Sequence, residues 1–100
     1  VETEAVSKDT FRFRNRNVSA DSDHQYKYNW YVVDKANMKA IYKTGWTKDP
    51  VFEYTFTGED TYLIRAYTCD GAYRRNAIAA AVSYDPDTGT YKEVSSDYPY

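Results

Sequence analysis

Apolar and polar positions alternate along most of this chain with the two-residue period of a β-strand, in residue types that favour strands. The clearest stretch is 25–34, QYKYNWYVVD, where Tyr26, Tyr28, Trp30 and Val32 alternate with Lys27, Asn29, Tyr31 and Val33. This strand, carrying Trp30 on one side, is expected to lie at the centre of an all-β core. Upstream, 10–18 (TFRFRNRNV) sends Phe11 and Phe13 one way and Arg12, Arg14 and Arg16 the other, the pattern of a half-buried strand. Downstream, 38–43 (MKAIYK), 51–57 (VFEYTFT) and 61–70 (TYLIRAYTCD) read as further strands. Phe52, Tyr54 and Phe56 share one face of the second, and Tyr62, Ile64 and Ala66 one face of the third. Residues 19–24, 35–37, 44–50 and 58–60 are loops and turns by composition, and Gly71 closes the 61–70 strand.

Residues 76–84, NAIAAAVSY, are ambiguous. Four alanines in five residues favour helix, whereas Ile78, Val82 and Tyr84 favour strand. The following Asp85-Pro86-Asp87-Thr88-Gly89 suits a type I turn ending in a left-handed residue, and 90–94 (TYKEV) alternates as a return strand. The pattern therefore predicts a hairpin. Residues 1–9 read as a linker or a loosely attached first strand, 10–94 as a single domain, and 95–100 as a tail. Seven to eight short strands separated by turns predict an antiparallel β-sandwich.

Composition adjusts this picture in a few ways. The chain has 100 residues, enough to bury roughly 60–70% of the surface its unfolded form exposes. Its 12 tyrosines, four phenylalanines and two tryptophans replace scarce leucine, of which Leu63 is the one example, as core filling. A formal charge of −2 gives no steering toward nucleic acid or anionic membrane. No apolar run reaches the roughly 18 residues that span a bilayer as a helix. The chain opens at Val1 without a secretory leader and reads as a segment of something longer. The lone Cys69 permits no internal disulfide. Few cysteines and much Tyr, Asn, Asp and Thr suit a bacterial surface or secreted module.

The run YKYNWYVVD, then IYKTGW, VFEYTF and GEDTYLIRAYTCDG resembles the immunoglobulin-like modules of the PKD and three-tyrosine (Y_Y_Y) type. Tyr28 and Trp30 occupy the aromatic-x-Trp strand of that pattern, and Phe52, Tyr54 and Phe56 its strand of alternating aromatics. Tyr62, Ile64, Ala66 and Asp70 occupy its final part, although Thr61 stands where glycine is common and Gly58 lies upstream. The resemblance covers about 26–82, and its motifs specify packing. It implies an immunoglobulin-like sandwich serving as a spacer, docking surface or accessory domain in a large bacterial surface or glycan-handling protein. A shared fold carries no activity by itself.

Candidate chemistry is sparse. His24 and Cys69 lie on different elements with no signature to orient them as base and nucleophile, and no enzymatic activity or cofactor is expected. The arginine row is read as a solvated strand face guarding an edge rather than a polyanion site. Asp21, Asp23 and Asp70 form a weak calcium alternative at one end of the sandwich, short of the six to eight oxygens calcium takes. The spacing of Asp85, Asp87 and Gly89 fails for a calcium loop. Glu59 and Asp60 diverge in a turn, which makes them a poor acid and base.

The aromatic residues say more. If Trp30, Tyr62 and Ile64 point inward, alternation puts Tyr31, Val33, Tyr67 and Cys69 outward, and the same rule puts Ala77, Ala79 and Ala81 there. Tyr31, Val33, Tyr67, Ala77, Ala79 and Ala81 then make an outer face too apolar for free solvent unless a last strand or the tail covers it. The expected function is a non-catalytic accessory, spacer or protein-docking module of a larger extracellular or cell-surface protein. Its partners would be neighbouring domains or another protein, without nucleic acid or membrane insertion. The alternative is carbohydrate binding on a platform of Trp46, Tyr31 and Tyr67.

Overall fold

The computed structural model describes residues 2–15, 27–69 and 74–95, with side chains of 74–79 outside that description. Eight strands follow one another: β1 (Glu2–Ala5), β2 (Thr10–Arg14), β3 (Lys27–Asp34), β4 (Lys39–Lys43), β5 (Val51–Thr55), β6 (Thr61–Cys69), β7 (Arg74–Asp85) and β8 (Thr90–Val94). No helix occurs among the described residues. The strands form an antiparallel sandwich of two sheets, ordered β1-β2-β5 and β4-β3-β6-β7-β8. Pairing of the second strand with the fifth, and of the third with the sixth, is the immunoglobulin-like arrangement.

Alternation places the aromatic face of each strand between the sheets. Phe11, Phe13, Phe52 and Phe56 meet Tyr28, Trp30, Val32, Tyr62, Ile64, Ala66, Ala80, Val82 and Tyr91 in one buried cluster. Trp30 is fully buried, its ring 5.5 Å from that of Phe52 and nearly parallel to it. Offset stacks of this kind add to the area the rings bury. A polar tie crosses the core: the Asn15 amide donates to the Thr68 hydroxyl at 3.0 Å, and both residues are buried.

The corner joining β5 to β6 is pinned by tyrosine. Tyr62 donates its hydroxyl to the Thr57 carbonyl at 2.6 Å, and Tyr91 donates to the Gly58 carbonyl. Burial pushes both phenols above the ordinary tyrosine value, so they remain donors at neutral pH. Gly58 takes φ +88°, and a Cβ there would stand 2.8 Å from the Tyr62 hydroxyl. The glycine upstream of the strand is thus what lets the tyrosine fold back over the corner.

The alanine-rich segment is strand, as the turn chemistry after it predicts. β7 bonds to β6 on one side and β8 on the other, and this two-sided ladder overrides the helical preference of alanine. The turn has Gly89 at φ +68°, with its N–H donating to the Asp85 carbonyl at 2.9 Å. Some element limits differ from the sequence pattern, and of the two readings of residues 1–9 the structure has the strand. β5 ends at Thr55, and the Phe56 amide carries the same β2–β5 register one step further by donating to the Asp9 carbonyl at 2.8 Å. Residues 1–9 hold a strand, β1, in register with β2 from Glu2 opposite Arg14 to Ala5 opposite Phe11.

Candidate docking face

The outward sides of β3 and β6 carry Asn29, Tyr31 and Val33 on one strand and Leu63, Arg65 and Tyr67 on the other. Their register stacks these into rows: Asn29 faces Tyr67, Tyr31 faces Arg65, and Val33 faces Leu63. β4 extends the second row by placing Lys43 opposite Tyr31, and β7 extends the third by placing Ala81 opposite Leu63. The third row is a small core of its own, with Val33 at 4% exposure and Leu63 and Ala81 at 0%. Tyr31 packs against it. Of the sequence-derived face, Tyr31, Val33, Tyr67 and Ala81 therefore do lie together, but Val33 and Ala81 are buried rather than open.

The three alanines do not share one alternation. Ile64 pairs with Ala80 while Arg65 pairs with Ile78, which leaves Ala79 unopposed in a bulge. The extra residue shifts parity, and Ala77 stands opposite the core residue Ala66 while Ala81 stands opposite Leu63. A rule counted straight through 77–81 does not carry across that bulge. The side chains of Ala77 and Ala79 lie outside the described part.

Around the buried row the face is aromatic and cationic. Tyr31 and Tyr67 meet edge to face at 4.9 Å, and the Lys43 ammonium sits 5.2 Å from the Tyr31 ring centre. Arg65 is half-buried, and its Nε is buried with no hydrogen-bond partner. No carboxylate among the described residues pairs with it. Asn29 is 7% exposed, and its Oδ1 also lacks a partner. Leu63 and Arg65 were not among the sequence candidates, yet the parity that put Tyr67 outward puts them there too.

The remaining candidates fall elsewhere. Trp46, 43% exposed, follows β4, on the opposite edge of β3 from Tyr67. Tyr42 is 45% exposed and leans on Phe52 and Tyr54, with ring centres at 5.9 and 5.4 Å, closing the gap between β4 and β5. Arg12 bridges Glu4 at 3.5 Å and Glu53 at 3.1 Å on the outside of the small sheet. A depression of about 460 Å³ beside it is lined by Glu2, Thr3, Glu4, Arg12 and Arg14, groups that largely neutralise one another. Arg16, Asp21, Asp23, His24 and Asp70 lie outside the described residues. Among those described, no group of three acidic, His or Cys side chains is placed to hold a metal, and no helix is long and apolar enough to cross a membrane.

A scan against protein-family models finds no matching family, and searches of curated proteins and of solved structures find no match.

Proposed function

We propose that the chain is a non-catalytic accessory or docking module of a larger, extracellular bacterial protein, of the PKD or three-tyrosine type that its aromatic strands resemble. The supporting observation is the outer face of the five-stranded sheet. Tyr31 packs on a second, buried apolar row there and meets Tyr67 edge to face, and beside them Arg65 has no counter-ion among the described residues. A face used only against water has no need of such an arrangement. The sandwich supplies a rigid frame and the face supplies the contact. Amide hydrogen exchange tests this reading. In a longer stretch of the parent protein, Tyr31, Arg65 and Tyr67 should exchange more slowly than in the 100-residue chain alone, while Arg12 and Glu53 exchange equally in both. Equal rates at Tyr31, Arg65 and Tyr67 would count against docking.

Carbohydrate binding is the second reading, supported by the exposed indole of Trp46. Under it, Trp46→Ala abolishes binding to a polysaccharide on a glycan array while Tyr67→Lys has less effect. The docking reading expects no polysaccharide ligand that depends on Trp46.

A further inference from the structure

Residues 35–48, KANMKAIYKTGWTK, run from the β3–β4 turn along the edge strand β4 into the loop after it. They hold four lysines and no carboxylate, a local excess that the chain-wide charge of −2 conceals. The flanking carboxylates are engaged in turns: Asp34 accepts the Ala36 N–H at 3.1 Å and Asp49 the Val51 N–H at 2.9 Å. Among the described residues, none of Lys35, Lys39, Lys43 and Lys48 forms an ion pair. β4 ends its sheet, and all five of its residues are exposed. Register sends Lys43 to the side of Tyr31 and Lys39 to the other side, with Asp34. Ile41, the extra residue of the bulge between them, is 51% exposed.

Lysines on an edge strand keep other strands away, but guarding alone calls for no apolar neighbours. Met38, Ile41, Tyr42 and Trp46 are four of the six large apolar side chains that stand exposed among the described residues. Met38 takes φ +57°, where the β7–β8 turn has Gly89 at +68°. The two amides donate alike to the Asp34 and Asp85 carbonyls, at 2.7 and 2.9 Å. An exposed methionine thus occupies a left-handed position that favours glycine.

We propose that segment 35–48 is a peripheral binding site for an anionic lipid surface. The inference goes beyond the docking reading, since it uses the edge of the sheet rather than its outer face. At such a surface apolar side chains sit among the headgroups and upper acyl chains, while lysines keep their ammonium groups at the phosphates. Each lysine near an anionic leaflet tightens binding about fivefold. A single-stranded nucleic acid fits less well, because bases stack on rings and the most open member here, Ile41, is aliphatic. Four lysines and no arginine also point away from a partner's carboxylates, which the guanidinium fork matches in pairs. The contact lies on the bilayer surface.

The test mixes the 100-residue chain, at low ionic strength, with vesicles of phosphatidylcholine alone and with vesicles that also contain phosphatidylglycerol. The expected result is sedimentation with the anionic vesicles only, reversed by about 1 M salt. A blue shift of tryptophan fluorescence should accompany binding and disappear in Trp46→Ala, because Trp30 is already buried. Lys39→Gln combined with Lys43→Gln should weaken binding about twentyfold or more. Ile41→Ser should weaken it severalfold, and Arg12→Gln should change nothing. Lys48→Gln, with about a fivefold loss, serves as the test if the double variant does not give a folded spectrum. The proposal is overturned by an absence of binding to anionic vesicles, by equal binding to neutral ones, or by equal affinity in the lysine variants. A thymidine oligonucleotide or hexaglutamate bound in place of the vesicles overturns it in favour of a soluble polyanion. Slowed exchange at Tyr31 and Tyr67 in the longer chain is independent of these outcomes, so the docking reading and the lipid site fail separately.

Discussion

Arg12 and Arg65 occupy similar places, each near the middle of a strand and on the outside of its sheet, yet their surroundings differ. Arg12 lies between two carboxylates of neighbouring strands, Glu4 and Glu53, on a face where charge is balanced row by row. Arg65 lies between Tyr31 and the β7 backbone with no counter-ion among the described residues, beside a buried row of Val33, Leu63 and Ala81. The first face is complete within the chain. The second is aromatic and cationic around a buried apolar row, which is the feature the proposed docking reading rests on. The difference shows that the outward side of a sheet cannot be assigned to solvent from alternation alone.

The largest expected effect asks whether the outer row is core in energetic terms. Trp30→Ala, in the main cluster, should cost about 3–5 kcal/mol, and Leu63→Ala about 2–5 kcal/mol although it lies on the other side of the sheet. Arg12→Ala should cost under about 1 kcal/mol. Denaturant melts of the three variants decide it. A Leu63→Ala loss below about 1 kcal/mol would mean that the outer row is superficial and that the two outer faces are alike after all.

A second test asks whether the faces are independent of the corner that joins their sheets. Gly58→Ala places a methyl group against the Tyr62 hydroxyl in a positive-φ residue and should cost more than about 1 kcal/mol. Tyr62→Phe leaves the Thr57 carbonyl without its donor and should cost about 1–3 kcal/mol. Neither should move the side-chain Nε–H signals of Arg12 and Arg65. Joint movement of the corner and the Arg65 signal would show that the outer face is set by the corner rather than by its own row.

Third, the arginines themselves can be exchanged for methionine, which keeps the stem and removes the charge. Arg12→Met should lose up to about 1 kcal/mol, as expected of an exposed pair. Arg65→Met should be neutral or slightly stabilising, because it removes a half-buried side chain whose Nε is buried without a hydrogen-bond partner and which has no counter-ion among the described residues to lose. A loss of more than about 1 kcal/mol at Arg65 would reveal an internal partner and remove the contrast between the faces.

How much of this was legible from the chain depends on whether one strand's pattern decided it. Trp30, Phe52 and Ile64 were readable as core because period-two alternation with aromatic residues leaves one assignment for each. The hairpin at 85–89 was readable because Asp, Pro and Gly each carry a turn preference of their own. The outer face was half readable. Tyr31, Val33 and Tyr67 follow from parity, but the Ala79 bulge belongs to the pairing of β6 with β7 and leaves no local mark. The burial of Leu63 and Ala81, and the missing counter-ion of Arg65, are properties of several strands together. A residue's neighbours across a sheet are not written beside it in the chain.

The smallest effect concerns another cation of the outer faces, Lys92, which sharpens what it means for Arg65 to lack a partner among the described residues. Lys92 reaches Asp85 at 2.8 Å across the β7–β8 hairpin. The hydrogen bond from Lys92, followed by one from the Asp87 amide, holds the Asp85 carboxyl below its ordinary value. The same contact raises Lys92. A lowered carboxylate stabilises the fold at pH above its unfolded value of about 3.9. That contribution drains away as pH falls through the lower folded value. For Lys92 the sign reverses: its contribution is complete below the unfolded lysine value and is lost as pH rises through the raised one. Lys92→Met should therefore bring the Asp85 titration partway back toward normal, the Asp87 amide still holding it down, and should flatten the acid limb of the stability curve slightly. Carboxyl-carbon NMR of Asp85 in the two proteins measures it. An unchanged Asp85 titration would show that the backbone turn alone sets this carboxyl, leaving Lys92 as unpartnered as Arg65 and widening the cationic face to three groups.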